Sequence, residues 1–122
     1  LMPVDPVSRA RARLALTRVE REWYPLAKRI TRAKSGKDAD AARKELRDSL
    51  SASADVFAAK PFFLSEDFAL VDCTILPILW RLPQLGVELP PQASGVLDYA
   101  DRLFERDSFR SSLSEPEREM RN

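Results

Sequence analysis

Few residues in this chain of 122 could do chemistry, and the residue types that are missing are as informative as those present. There is no histidine, so the usual zinc ligand and the usual general base at neutral pH are both absent. The single cysteine, Cys73, cannot form an internal disulfide, and nothing basic lies near it in sequence to lower its pKa. It reads as a small core residue on an apolar helix rather than a nucleophile. The hydroxyls of Ser49, Ser51 and Ser53 have no base to activate them and read as small residues that let helices approach closely. No glycine loop could cradle a phosphate, and the acids are spread along solvated faces. Asp72 is the exception among the carboxylates, because it interrupts an otherwise apolar run. With Ala69 as N-cap it falls at N3, where it can accept the backbone N–H of residue 69 and face the positive end of the helix dipole. Phe68 and Cys73 then occupy the two positions of a hydrophobic staple. The expected role of Asp72 is therefore structural capping. No catalytic residue, cofactor-binding residue or metal ligand is assigned.

The helix that Asp72 opens organises the rest. Phe68 to Leu82 is apolar on nearly every face and too short to span a bilayer, which makes it the central pillar of a bundle, with Pro77 bending it and Pro83 ending it. Upstream, Asp5-Pro6 reads as N-cap and N1 of a long helix whose stripe is Leu16, Val19, Trp23, Leu26 and Ile30. The stripe stays in register past Pro25, so a kink is expected there, not a stop. Trp23 reads as core, and Tyr24 fits core or pocket equally well. Ser35-Gly36 closes this helix. A second, with Asp38 as N-cap and running to about Ala58, carries Ala42, Leu46, Leu50, Ala54 and Phe57 inward. Lys60-Pro61 breaks the chain before a loop whose aromatics should dock into the bundle. A fourth helix, roughly Gln92 to Arg106, should bury Val96, Leu97, Ala100, Leu103 and Phe104. Phe109 and Leu113 anchor a short turn, and Ser114 with Glu117 forms a capping box for a last polar helix to about Arg121, read as an exposed arm. The fold class is all-α, a helical bundle, with only three glycines and no strand signal.

Charge is divided unevenly. Residues 1–37 hold ten Arg and Lys against three acids, a balance of +7, and residues 38–122 hold ten against sixteen, a balance of −6. Such a two-ended chain could steer an acidic partner or nucleic acid to the first helix. The basic stretch has no regular aromatic interleaving for stacking bases, so direct nucleic-acid binding is not expected. Nothing resembles a membrane span or an apolar signal core, and the chain opens on Leu1 as an excised fragment would.

Phe68-Ala69-Leu70-Val71-Asp72-Cys73, followed by an apolar helix with an internal proline, resembles the signature that opens the central helix of the C-terminal domain in glutathione transferase-like proteins. The longer series narrows this: Pro61-Phe62-Phe63-Leu64-Ser65, then Leu79-Trp80-Arg81-Leu82-Pro83-Gln84-Leu85-Gly86, Phe104 to Phe109 and Glu117 to Arg121. Together they resemble the stringent starvation protein A family. In one respect the chain departs from the pattern: Ala69 stands where the family usually has Ser or Thr, which forfeits the hydroxyl half of the capping box at about 0.5–2 kcal/mol. The resemblance implies that residues 1–122 form a glutathione transferase-like C-terminal helical domain without the thioredoxin-like N-terminal domain. It implies no cofactor and no enzyme activity, but a cytoplasmic, dimeric regulator that contacts sigma-containing RNA polymerase holoenzyme in starvation or stress. In that family a Pro-His-Pro surface motif would lie just before Leu1, so Met2, Pro3, Val4, Asp5 and Pro6 are the expected remaining edge of the partner surface, with an ordinary linker as the competing reading. The alternative function is a glutathione-dependent transferase whose catalytic domain is missing here.

Overall fold

The computed structural model describes residues 5–59, 62, 63, 68 and 70–121. Among these the chain forms α1 (Pro6–Arg18), a π-helical turn (Val19–Trp23), α2 (Tyr24–Arg32), α3 (Gly36–Ala52), α4 (Ala54–Ala59), α5 (Leu70–Leu85), a 3-10 turn (Pro91–Ala93), α6 (Ser94–Phe104), α7 (Asp107–Ser112) and α8 (Glu115–Glu119). It is an all-α bundle, as the sequence predicts.

Asp5 caps α1 by accepting the Ser8 N–H at 2.9 Å, with Pro6 at N1. At Pro25 the helix neither stops nor simply bends. The π turn inserts its extra residue immediately before the proline, and the Tyr24 N–H reaches back to the Val19 carbonyl. Widening the turn is how a helix accommodates a ring that would clash with the carbonyl four residues back. α1, the π turn and α2 then lie against α3 and α5. Trp23 is fully buried, stacks on Phe57 at 6.1 Å, and donates its indole N–H to Ser49 Oγ at 2.8 Å. Ser49 in turn donates to Glu22 at 2.5 Å, so one serine of the hydroxyl run ties the π turn to α3.

Three sequence expectations about the helix ends are corrected. Ser35, not Asp38, is the N-cap of α3, its hydroxyl accepting the Asp38 N–H at 3.2 Å. The second helix breaks at Ser53, where ψ opens to 1° and the side chain bonds back to the Ser49 carbonyl, so α4 is a separate short helix. Pro83 does not end the central helix. α5 continues to Leu85 and stops in a Schellman motif, with Val87 N–H on Leu82 O, Gly86 N–H on Pro83 O and Gly86 at φ 76°. A β-carbon there would also sit 3.1 Å from Arg43 Nε, which donates to the Leu85 carbonyl.

Around α5 the core holds Val71, Ile75, Leu76, Ile78, Leu79 and Leu82, packed against α6 and α2. Phe57 is the hub of one aromatic cluster, edge-on to Tyr99 at 4.8 Å and to Phe63 at 4.9 Å. Trp80, Phe104 and Phe109 form another, with centroids 5.0–5.4 Å apart. Leu97, expected in the core, is 43% exposed, and Tyr99 takes the inward position instead. The last helix is exposed as expected, with no buried residue, but it is a strap tied to the bundle and not a free arm. Its Ser114–Glu117 capping box forms as expected. The Glu117 carbonyl accepts the Trp80 indole N–H at 2.6 Å, and Arg81 pairs with the Glu117 carboxylate at 2.5 Å. Arg121 donates to the Leu79 and Trp80 carbonyls at 2.8 and 2.9 Å, its guanidinium lying over the rings of Trp80 and Phe104. Leu79 is the residue whose helical donor would have been the N–H that Pro83 lacks. Arg121 supplies the missing bond.

Candidate functional site

Asp5 and Pro6 are exposed at the entrance of α1. The Asp5 carboxyl is held below its usual value, chiefly by the Ser8 N–H. Met2, Pro3 and Val4 lie outside the described residues. Asp72 is elsewhere, in the core with no exposure, and accepts both the Phe63 N–H at 2.9 Å and the Tyr99 hydroxyl at 2.5 Å. Its expected acceptance from residue 69 also lies outside the described residues. What sequence reasoning missed is that Asp72 pins the loop before α5, and α6 as well. A tyrosine in the helical stripe of α6, at position 99 between Val96 and Leu103, is the signal that could have pointed to a buried polar partner.

Cys73 is corrected from core to surface: it is exposed, on the face of α5 that also carries Pro77 and Arg81. An all-round apolar helix hides which face is covered, and this face is open. With Phe68, Leu76, Pro77, Arg106, Ser108, Phe109 and Ser112, Cys73 lines a cleft of about 620 Å³ between α5 and α7. Partial burial pushes its thiol up, the neighbouring Asp72 carboxylate acts in the same direction, and Arg106 opposes both. Arg106 lies over Phe68 at 4.0 Å and Phe62 at 5.6 Å. A thiol held in its protonated form is a poor nucleophile, so the cleft can bind but lacks an activated group.

A second cleft of about 550 Å³ lies between α2 and α5, bounded by Tyr24, Lys28, Arg32, Pro77, Arg81 and Glu117. Tyr24 turns its ring into this boundary and donates to the Thr74 carbonyl at 2.8 Å, and burial raises its hydroxyl pKa. This resolves Tyr24 as half core and half cleft wall. On the other side of Lys28 and Arg32, a third hollow of about 570 Å³ is edged by Arg29, Lys34 and Asp38. Among the described residues no group of three or more His, Cys, Asp or Glu side chains could hold a metal ion, and no helix is long and apolar enough to cross a membrane.

An all-α bundle is also what the comparisons return. Residues 14–107 match the model of the glutathione S-transferase C-terminal domain. The chain belongs to that family. Among curated proteins it is similar to a stringent starvation protein A homolog of Pasteurella multocida, 46% identical over 116 residues, covering 93% of this chain and 53% of the relative. Another from Coxiella burnetii is 45% identical over 122 residues, covering 99% and 58%. Glutathione S-transferase U19 of Arabidopsis thaliana is more distant, 22% identical over 97% of this chain and 55% of its own length. The chain therefore spans about half the length of the curated relatives it matches. A Tau class glutathione S-transferase from mango, Mangifera indica, superposes with a TM-score of 0.77 at 23% identity, over 99% of this chain and 60% of that one, which establishes the shared fold.

Proposed function

We propose that this glutathione S-transferase-like domain is part of a non-catalytic transcription regulator of the stringent starvation protein A type. It acts in the cytoplasm, as part of a homodimer of the full-length protein, through contact with sigma-containing RNA polymerase holoenzyme during starvation or stress. The observation that carries this reading is the 46% identity to a stringent starvation protein A homolog, against 22% to a glutathione S-transferase over a similar span. The site chemistry is consistent with it: Cys73 has no base beside it among the described residues and its thiol is pushed up, not down. The contact edge in this proposal is Met2 to Pro6, of which Asp5 and Pro6 stand exposed at the start of α1.

The test is capture of holoenzyme from a bacterial lysate by the full-length protein and, in parallel, by residues 1–122. Capture by the full-length protein supports the reading, and retention by the domain alone locates contact within these helices. A well-folded full-length protein that captures no sigma-containing polymerase sinks it. Thiol-dependent conjugation activity of the same preparation would then favour the glutathione-dependent alternative.

A further inference from the structure

The corner between α2 and α3 gathers five cations within ten residues, Lys28, Arg29, Arg32, Lys34 and Lys37, all of them exposed. Their pairing differs from that of the cations just beyond. On α3, Arg43 pairs with Asp40, and Lys44 and Arg47 pair with Asp48. At the corner only Arg29 has a carboxylate among the described residues, Glu45 at 2.7 Å. Lys28, Arg32, Lys34 and Lys37 are left facing water. Their fields add, and Lys37 stands in the first turn of a 17-residue helix, where a positive charge opposes the dipole and gives the fold nothing. Lys28, Arg32 and Lys34 surround the hollow of about 570 Å³, with the Asp38 carboxylate on its rim.

We propose that this corner is a docking surface for an acidic segment of a partner protein. Three features favour a protein over a nucleic acid. No aromatic side chain lines the hollow, so no base could stack there. The cations cover about one helical turn and the loop that follows, a short track beside the repeating phosphates of a duplex, and residues 38–122, at −6, would repel a duplex that extended over them. The carboxylate of Asp38 on the rim opposes a phosphate backbone but can accept from the backbone N–H groups or a basic side chain of a peptide. Such complementarity raises the association rate and selects the partner. The surface is distinct from the Met2 to Pro6 edge, and its test needs no polymerase, so either proposal can fail without the other.

The experiment uses residues 1–122 and a short fluorescent glutamate-rich peptide, with its glutamine counterpart and a short DNA duplex as competing probes, read by anisotropy at low and at physiological salt. Two variants with the same loss of charge are compared, Lys28→Gln/Arg32→Gln/Lys34→Gln at the corner and Arg9→Gln/Arg11→Gln/Arg13→Gln on α1. Circular dichroism confirms that both fold. The expected result is binding of the glutamate peptide alone, weakened about tenfold or more by the corner variant, by salt, and by less than about twofold by the α1 variant. Equal losses in both variants would reduce the effect to net charge and overturn the proposal. So would tighter binding of the duplex, or no binding of the acidic peptide.

Discussion

Asp72 offers the sharpest test of how this bundle is held together. Asp72→Ala removes the acceptor of two buried donors, the Phe63 N–H and the Tyr99 hydroxyl, from a site with no solvent exposure. Each hydrogen bond to a charged group contributes about 1.5–3 kcal/mol, so the gross loss is about 3–6 kcal/mol. Relief of the desolvation that a buried carboxylate suffers offsets part of this, leaving a net cost of about 2–4 kcal/mol. That is a large share of the roughly 5–15 kcal/mol by which a domain of this size is stable. Tyr99→Phe deletes the bond from the hydroxyl alone and should cost about 1.5–3 kcal/mol. In urea unfolding followed at 222 nm, the double variant should then be destabilised by about 1–2 kcal/mol less than the sum of the singles. Amide exchange adds a local readout, because the Phe63 N–H should lose protection in Asp72→Ala and keep it in Tyr99→Phe. A cost below about 1 kcal/mol for Asp72→Ala, or strict additivity of the pair, would refute the assignment of Asp72 as the joint between loop, α5 and α6.

Three further outcomes follow from the same geometry. The Tyr99 hydroxyl pKa is pushed up, first by burial and then by Asp72, whereas in the unfolded chain it is about 10; its contribution is whole below about pH 10 and is lost above it. Between pH 10 and 11 the wild type should therefore lose about 1 kcal/mol more than Tyr99→Phe, and parallel curves would contradict this. A β-carbon at Gly95 would meet the Ala54 carbonyl oxygen at 2.9 Å and Ala58 Cβ at 3.0 Å, so Gly95→Ala should force α4 and α6 apart and cost about 1–3 kcal/mol in denaturant unfolding. Arg121→Ala should release α8, seen as faster amide exchange across Glu115–Glu119 with little change around Phe57; unchanged exchange would show that the strap is held by Glu117 alone.

Periodicity carried the sequence reading where one face of a helix is apolar and the other charged. Ala42, Leu46, Leu50, Ala54 and Phe57 are all buried, because each charged neighbour excludes every other orientation. Where that contrast is missing, orientation is not written in the pattern. α5 is apolar all round, and Cys73 was accordingly expected inside although it lies on the open face. Caps within a few residues were mostly legible, as at Asp5 and Ser114, but Ser35, read as part of the close of the preceding helix, proves to cap α3 in place of Asp38, which only the backbone shows. The clefts and the docking of α8 were illegible for another reason. They depend on partners 36 to 42 residues apart, an indole N–H, a guanidinium and main-chain carbonyls, which leave no mark on local spacing. The basic corner was visible as a charge balance, while its pairing state required the positions of the carboxylates on α3.

Pro83 and Arg121 together give the chain an order of completion. As the polypeptide emerges during synthesis, α5 can coil as soon as its own residues are free, but the Leu79 carbonyl has no donor from within the helix at that stage. The donor is encoded 42 residues later, beside the end of the described chain. Until Arg121 is made and α8 swings onto Trp80, the pillar of the bundle lacks the bond at Leu79. With α6 out of the ribosome and α7 and α8 still to come, the cluster around Phe57 can form while the Leu79 carbonyl still waits for its donor.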